Sequence, residues 1–513
     1  MDFVCPRPLT YVPPALSTRA KALLGAIVLL GLGLRVWSAR GGLWVDEAWS
    51  AVMVERARTP LGVFVAINHD NNHHLNSLWM LLCGYGAPPM ALRALSIVSG
   101  TAAIMLAAAI GARRSPTNAL IAALLFAVSP MMVNYGSEAR GYMPMLLALM
   151  TMIWLVSRWL ETPDMRPPAW RLAALTTTGL LSQLTMLFGL VALMVWAAVR
   201  LARSHTIPIA ERLTSRLFLP SAIVAAVACT IVLGSAIASP TGMQVGDYVA
   251  FSRGTLWSAL RVMVAASLGG LAVPAPAISL SMIAVVIGIV MVLRRNDPLA
   301  ILYLAAIVGL PVMLAALRVG NTGFPRYFLL SSVAMLLMVA GLLARGMIGG
   351  RATRTACLVV ITAVIVGCLY DDLTQAAFRR GDTGAAVATM TAIAPGGASV
   401  LVEHLRPVAT LRVAAAETGY PLRIVDRCPA TMFLHVDLAD TSAPRSAVRC
   451  GNVYRLLVVR SGNLLSGVDW ALYARGDMPR KPPISPLPHQ MNERLFTAIA
   501  ARKRPGRNPP VLL

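Results

Sequence analysis

The sequence predicts a polytopic α-helical membrane protein with about eleven transmembrane helices and a small extracytoplasmic α/β domain at its C-terminal end. Three observations carry this reading. Of 513 residues, 57% are hydrophobic and 13% charged, against roughly 25% charged in soluble domains. Mean hydropathy is +0.68. Apolar stretches of spanning length alternate with short basic loops until about Tyr370, where the composition changes. The formal net charge of +23 lies mainly in those loops. Retention of Arg and Lys on the cytoplasmic side accounts for it, so no nucleic-acid partner is expected.

The first span, Ala22 to Ser38, follows Arg7, Arg19 and Lys21, which places the N-terminus in the cytoplasm. It lacks a clear small-residue cleavage site and reads as a retained helix. An outer loop rich in Asp, Glu and His follows. Leu75 to Tyr85 is apolar but too short to span, so it reads as an interfacial helix. Spans two to four are expected at Met90 to Ile110, Asn118 to Val133 and Met143 to Val156. The segment Leu172 to Val199 has basic residues at both ends, which suits a hairpin of two helices bent at Ser182-Gln183. Further spans are expected at Leu217 to Ala236, Ala277 to Leu293, Leu299 to Leu317, Tyr327 to Leu343 and Thr355 to Leu369. Between the first two of these, a mixed segment is partly amphipathic from Leu256 to Leu271. An odd number of spans puts the C-terminal part outside, in the plasma membrane of a cell with an oxidising exterior.

Three units follow from this count: 1–370 in the membrane, 371–477 as the α/β domain, and 478–513 as a Pro- and Arg-rich tail expected to be mobile. In the second unit, Ala398 to Glu403, Leu422 to Asp426 and Val453 to Arg460 read as strands. Asp382 to Ala394 and Pro407 to Thr418 have helical periodicity. The chain has seven cysteines and no C-x-x-C pair, which argues against a zinc or dithiol site. Cys428 and Cys450 sit at predicted strand ends, within reach of the ~4.4–6.8 Å Cα spacing of a disulfide, and are expected to pair.

Ionisable groups beside a bilayer are costly, so their clustering is a functional signal. The outer loop after span one holds Asp46 and Glu47, then His69, Asp70, His73 and His74. Asp46 could serve as a general base, or cap the helix that Glu47 begins. The histidines could hold a zinc-like ion, but no third ligand is assured and a polar helix entry is favoured. No metal or other cofactor is expected. The next outer loop places Glu138 and Arg140 between Tyr135 and Tyr142, with the tyrosines as interface anchors. Arg326 and Tyr327 begin a later span from the outside. Arg326 is either a snorkelling side chain or, with Arg140 and Arg253, a ligand for an anionic, lipid-linked substrate.

LWVDEAWS, HDNNHHLNSLWMLL, LRALSIVSGTAAIMLAAAIGARR, NYGSEARGYMPMLLAL and FPRYFLL occur in this order between Leu43 and Leu330. The set resembles the GT-C membrane glycosyltransferases, in particular family 39-like proteins related to the polyprenyl- and dolichyl-phosphate-mannose protein mannosyltransferases and the lipid A aminoarabinose transferase. The resemblance does not extend to the C-terminal domain. It implies a polyprenyl-phosphate-linked sugar donor and a glycan, lipid or protein acceptor. It maps the first-loop base to Asp46 with Glu47 beside it, the second acidic position to Glu138, and a phosphate ligand to Arg326. Where many relatives carry His-Pro-Pro, this chain has His73-His74-Leu75-Asn76. The expected activity is an inverting glycosyl transfer at the outer face. The alternatives are a polyprenyl-lipid flippase, which would place polar groups at span centres, and a non-catalytic scaffold.

Overall fold

The computed structural model describes residues 16–162, 166–240, 242–246, 249–403, 405, 407–436, 443–462 and 465–477. The tail at 478–513 lies outside them. The chain is a polytopic helical membrane protein with a small C-terminal sheet. Seven of its described helices are long and apolar enough to cross a membrane.

The elements run in sequence order. α1 (Thr18–Ser38) precedes three short helices, α2 (Val45–Ala57), α3 (Pro60–Val65) and α4 (His74–Cys83). Next come α5 (Pro89–Ala112), α6 (Pro116–Val128), α7 (Pro130–Tyr135), α8 (Tyr142–Trp159), α9 (Ala169–Ser182), α10 (Met186–Ala202), α11 (Ile207–Ala238), α12 (Arg253–Leu268) and α13 (Ala275–Arg294). α14 (Ala300–Leu304) joins α15 (Leu310–Ala316) through a π-helical turn, and a 3₁₀ turn at Pro325–Phe328 leads into α16 (Leu329–Gly346). α17 (Arg351–Phe378) is the last long helix.

The expected hairpin is present, with α9 ending at Ser182 and the extended residue Gln183 breaking the chain before α10. The third expected span is instead two helices. Pro130 cannot donate a backbone bond, and Ser129 is extended ahead of it, so α6 stops and α7 restarts at an angle. The fully buried Arg35 of α1 satisfies carbonyls freed at that break, donating to Phe126 O at 3.0 Å and Ala127 O at 3.4 Å. The amphipathic stretch becomes α12, which packs against α7, α13, α16 and α17. α17 continues to Phe378, so the boundary drawn at 370 falls inside a helix.

The C-terminal domain holds α18 (Gly384–Ile393), β1 (Ala398–Val402), α19 (Val408–Thr418), β2 (Leu422–Val425), β3 (Met432–Val436), β4 (Ser446–Arg449), β5 (Asn452–Arg460) and β6 (Trp470–Arg475). The six strands form one sheet in the order β2-β1-β3-β6-β5-β4, parallel at β2-β1-β3 and antiparallel beyond. Three of them were legible in the sequence. The expected disulfide is present: Cys428 and Cys450 are bonded, with Cα atoms 6.1 Å apart.

This domain is not merely appended. Trp44 and Val45, just before Asp46, belong to its apolar core with Val387, Met390, Val400, Leu411 and Trp470. Farther along α2, Ala48, Ala51 and Val52 share a cluster with Ala409 and Val413 of α19. Burial of these side chains, at about 25 cal/mol per Å² of apolar surface, fixes α2 between the membrane helices and the sheet.

Candidate active site

Asp46 lies in the first turn of α2. Its Oδ2 accepts a bond from Arg140 Nη1 at 2.7 Å and one from Arg326 Nη1 at 3.3 Å. Its Oδ1 has no hydrogen bond among the described residues. Asp46 and Arg326 are partly exposed, at 26% and 23% of their side-chain surface, whereas Arg140 is at 5%. Three segments far apart in sequence therefore meet at one carboxylate oxygen. Two guanidinium groups face one carboxylate there.

Arg140 is wired on all sides. Besides Asp46, it donates from Nη2 to Asn71 Oδ1 at 2.6 Å and from Nε to His73 Nε2 at 3.3 Å. Its guanidinium lies 4.9 Å from the centroid of the Tyr142 ring, a cation–π distance. Surrounding acids and tyrosines hold its pKa above the usual arginine value despite burial. Asn71 in turn donates to Asp46 O at 2.7 Å and Ser50 Oγ at 3.0 Å, which locks the loop 69–74 onto α2.

His73 is buried. Its Nδ1 lies 3.0 Å from Ser182 O, at the bend between α9 and α10. The carbonyl can only accept, so Nδ1 carries the proton and Nε2 accepts from Arg140. Burial, and then the nearby Arg140 charge, push the imidazole well below its ordinary pKa, so it is held neutral. Gly141 is required beside it, because a Cβ there would collide with the Ser182 carbonyl.

The other histidines point to different neighbours. His74 stacks on Phe64 at 5.1 Å. His69 pairs with Asp70 at 2.9 Å, and Asp70 Oδ1 also accepts from Gly246 N at 3.0 Å. Burial raises the Asp70 pKa, but the bonds from His69 and Gly246 outweigh it and hold the carboxyl below its usual range. His69, His73 and His74 thus do not converge on one point, and no group of three or more His, Cys, Asp or Glu side chains suited to an ion occurs among the described residues.

Glu47, read beside Asp46, and Glu138, read as the acidic position of the next loop, are both fully buried. Glu47 accepts from Arg93 Nε at 2.9 Å and Nη2 at 2.5 Å, from Ala139 N at 2.6 Å and from Trp44 N at 3.1 Å. Its pKa is lowered: desolvation pushes it up, but the Arg93 charge and bonds prevail. Arg93 also donates to the carbonyls of Ala39, Gly41 and Gly42 at 2.7, 2.8 and 2.9 Å, so its five donors fasten the approach to α2. Glu138 accepts from Asn134 at 2.9 Å and lies 3.7 Å from Arg380. Desolvation raises its carboxyl pKa.

Tyr135 and Tyr142 are expected interface anchors by sequence, but both are buried, with ring centroids 5.1 Å apart. They wall the site from within and do not meet lipid. Tyr327 is partly buried against the helical core. Arg253 is exposed at the start of α12, and no described contact brings it to Asp46.

Sequence reasoning missed Asn71, Arg93, Ser182 and Arg380. Arg93 had a readable signal, an arginine at the edge of an apolar span. Arg380 had none. It follows α17 in a turn where residues 379–382 all have positive φ, and it reaches into the membrane unit. There it donates to Ser38 O at 2.7 Å, Asn134 O at 2.9 Å and Ser137 Oγ at 2.7 Å. Asp382 accepts from Gly42 N at 2.9 Å and Thr383 donates to Leu43 O at 2.7 Å. The base of the C-terminal domain therefore holds the segments after α1 and at the end of α7 in place.

No family model matches the chain, and no curated protein matches its sequence. Among solved structures, the chain is similar to ArnT from Cupriavidus metallidurans in the apo state, at 12% identity, covering 89% of this chain and 98% of that one, with a TM-score of 0.48. The same protein bound to undecaprenyl phosphate gives 13% identity, the same coverage and a TM-score of 0.48. The archaeal oligosaccharyltransferase AglB from Archaeoglobus fulgidus, in complex with an inhibitory peptide and a dolichol-phosphate, is also similar. It gives 12% identity and a TM-score of 0.48, over 78% of this chain and 64% of that one. The likeness is one of fold.

Proposed function

We propose that this protein is an inverting glycosyltransferase that moves a sugar from a polyprenyl phosphate to an acceptor hydroxyl of a glycan, lipid or protein. One observation carries the reading. Asp46 Oδ2 is shared by Arg140 and Arg326 while Oδ1 has no hydrogen bond among the described residues, at a partly exposed point where three segments meet. A carboxylate so held is oriented, and its second oxygen can take a proton from an acceptor.

The step balances simply. Asp46 Oδ1 takes the hydroxyl proton as the acceptor oxygen bonds to the anomeric carbon. The bond from that carbon to the phosphate oxygen breaks, and its electron pair leaves with the lipid phosphate. Arg326, partly exposed and less encumbered than Arg140, receives the developing phosphate charge, a contact of roughly 3 kcal/mol in comparable sites. Arg140, Asn71 and the neutral His73 position Asp46. Glu47 and Glu138 brace the two loops. Asp70, paired with His69, lies close enough to Arg326 to feel its charge.

The transfer proceeds without a metal in this reading, because both ring nitrogens of His73 are engaged and His74 is stacked away. The site faces the outside of the plasma membrane, with the N-terminus cytoplasmic, as the charge of the connecting loops indicates.

Purified Asp46→Asn protein tests the assignment. Turnover of polyprenyl-phosphate sugars should fall about 10²–10⁴-fold while donor binding persists; turnover at the wild-type rate would remove Asp46 as base. Incubation with EDTA should leave wild-type activity unchanged, and loss restored by a divalent ion would require a metal in the reaction.

A further inference from the structure

At the far end of α2 from Asp46, a groove opens between the membrane unit and the C-terminal domain. Its volume is about 400 Å³, and it is lined by Tyr85, Arg412, Ala415, Leu422, Arg423 and Ile424. Asp46 and Glu55 are nine residues apart on α2, so at 1.5 Å per residue this end lies about 14 Å from the reaction centre. The groove is thus separate from the proposed active site.

Its walls come from both units. Arg412 and Ala415 belong to α19, while Leu422, Arg423 and Ile424 belong to β2, the edge strand of the sheet. Tyr85 comes from the turn after α4. Gly86, at φ +82°, lies so close to the Ala416 carbonyl that a Cβ would crowd it. That contact seats the turn on α19. Arg412 and Arg423 are exposed, and neither has an ion pair or side-chain hydrogen bond among the described residues. The chain leading to Tyr85 exposes Leu61 and Val65 on α3 and Leu82 on α4, and Tyr85 itself is exposed at the groove. Exposed leucine, valine and tyrosine on short helices at the end of membrane spans suit the boundary between headgroups and acyl chains.

Two unpaired guanidinium groups therefore stand next to a surface fit to enter the lipid boundary. We propose that this groove binds the phosphate headgroup of an anionic phospholipid in the leaflet on the loop side, clamping the C-terminal domain to the membrane surface. Arginine suits this role, because its planar fork contacts phosphate oxygens two at a time. The chain's own 478–513 tail is an unsuitable occupant: it carries several Arg and Lys residues, and two arginines already line the groove. The proposal depends on which surface meets lipid, and not on the transfer chemistry.

The test uses the full chain in nanodiscs of phosphatidylcholine alone or with phosphatidylglycerol, with a trace of headgroup-photoactivatable phosphatidylglycerol. Peptide mass spectrometry should place lipid adducts within 408–427. Adduct yield there should fall of order tenfold in the Arg412→Ala/Arg423→Ala protein, given the attraction expected per arginine at an anionic surface. The Arg412→Lys/Arg423→Lys protein controls for folding and should retain most of the adduct. Three results would overturn the proposal: no wild-type adduct in that segment, equal yield in the alanine pair, or complete competition by soluble glycerol phosphate, which would indicate a free-phosphate site. Competition by an acidic peptide but not by phosphatidylglycerol would likewise replace the lipid with a protein partner.

Discussion

Arg326 and Arg140 both contact Asp46, but only one of them is available to a ligand. Arg140 is buried and bonded to Asp46, Asn71 and His73, while Arg326 makes one longer hydrogen bond to Asp46, lies over the Phe324 ring and remains partly exposed. Arg326→Ala should therefore weaken donor binding about 10- to 100-fold, the worth of one charge-assisted hydrogen bond of roughly 1.5–3 kcal/mol. Titration calorimetry with a polyprenyl phosphate measures this, and unchanged affinity would exclude Arg326 as the phosphate ligand. At this scale the sequence was readable where charge meets apolar chain. Asp46, Arg140 and Arg326 stood out because each is costly beside a bilayer. Asn71 did not, although it lies inside the His-rich stretch, because an asparagine in a polar loop has no such cost. Glu47 was read beside Asp46 because sequence adjacency does not show that successive helical residues point about 100° apart. Asp46 reaches the opening, and Glu47 turns inward to Arg93.

α2 is the element on which the site depends, and the Glu47–Arg93 pair fixes its start. Both side chains are fully buried. Removing one partner leaves an uncompensated charge, so Arg93→Met should cost about 3–5 kcal/mol. It should lower the melting temperature and abolish turnover together. Arg93→Met combined with Glu47→Leu should recover only the part of the loss that comes from the unpaired charge, because the carbonyls of Ala39, Gly41 and Gly42 and the amides of Ala139 and Trp44 also lose their partners. Thermal unfolding in detergent distinguishes the two, and a single mutant as stable as wild type would show that the pair does not brace α2. Long apolar helices were legible by length and flanking charge, and the Gln183 bend by its basic ends. The missed strands have a physical cause. β6 is buried at five of its six positions, so it lacks the alternation by which a strand is recognised. β4 reads Ser-Ala-Val-Arg, with a single β-branched residue and little strand propensity. The split of α6 from α7 was signalled by Pro130, but a continuous apolar run concealed it.

For the whole molecule, the membrane unit and the sheet domain form one structure, with Trp44 and Val45 in the core of the sheet domain. Stability of that domain should therefore be felt at the reaction centre. The Cys428–Cys450 bond closes a separation of 22 residues, which in the chain-entropy model stabilises by about 3 kcal/mol. Cys428→Ser/Cys450→Ser protein should melt at a lower temperature and lose activity at temperatures where wild type retains it. Activity measured across a temperature series checks this, and coincident curves would show that the domain does not support the site. None of this coupling was readable from sequence, because the contacts join residues hundreds of positions apart and carry no local pattern.

Arg380 also sets an order of events during synthesis. Its partners Ser38, Asn134 and Ser137 precede it by 342, 246 and 243 residues. At a translation rate of about 5–20 residues per second, the later of those partners waits roughly 12–50 s for the side chain that pins it. Until then the spans can insert while the loops around Asp46 are held by Arg93, Arg140 and Asn71 but not yet by Arg380. A chain cut short before this turn should insert without the pin between the two units, so the arrangement around Asp46 is complete only once residue 380 has been made.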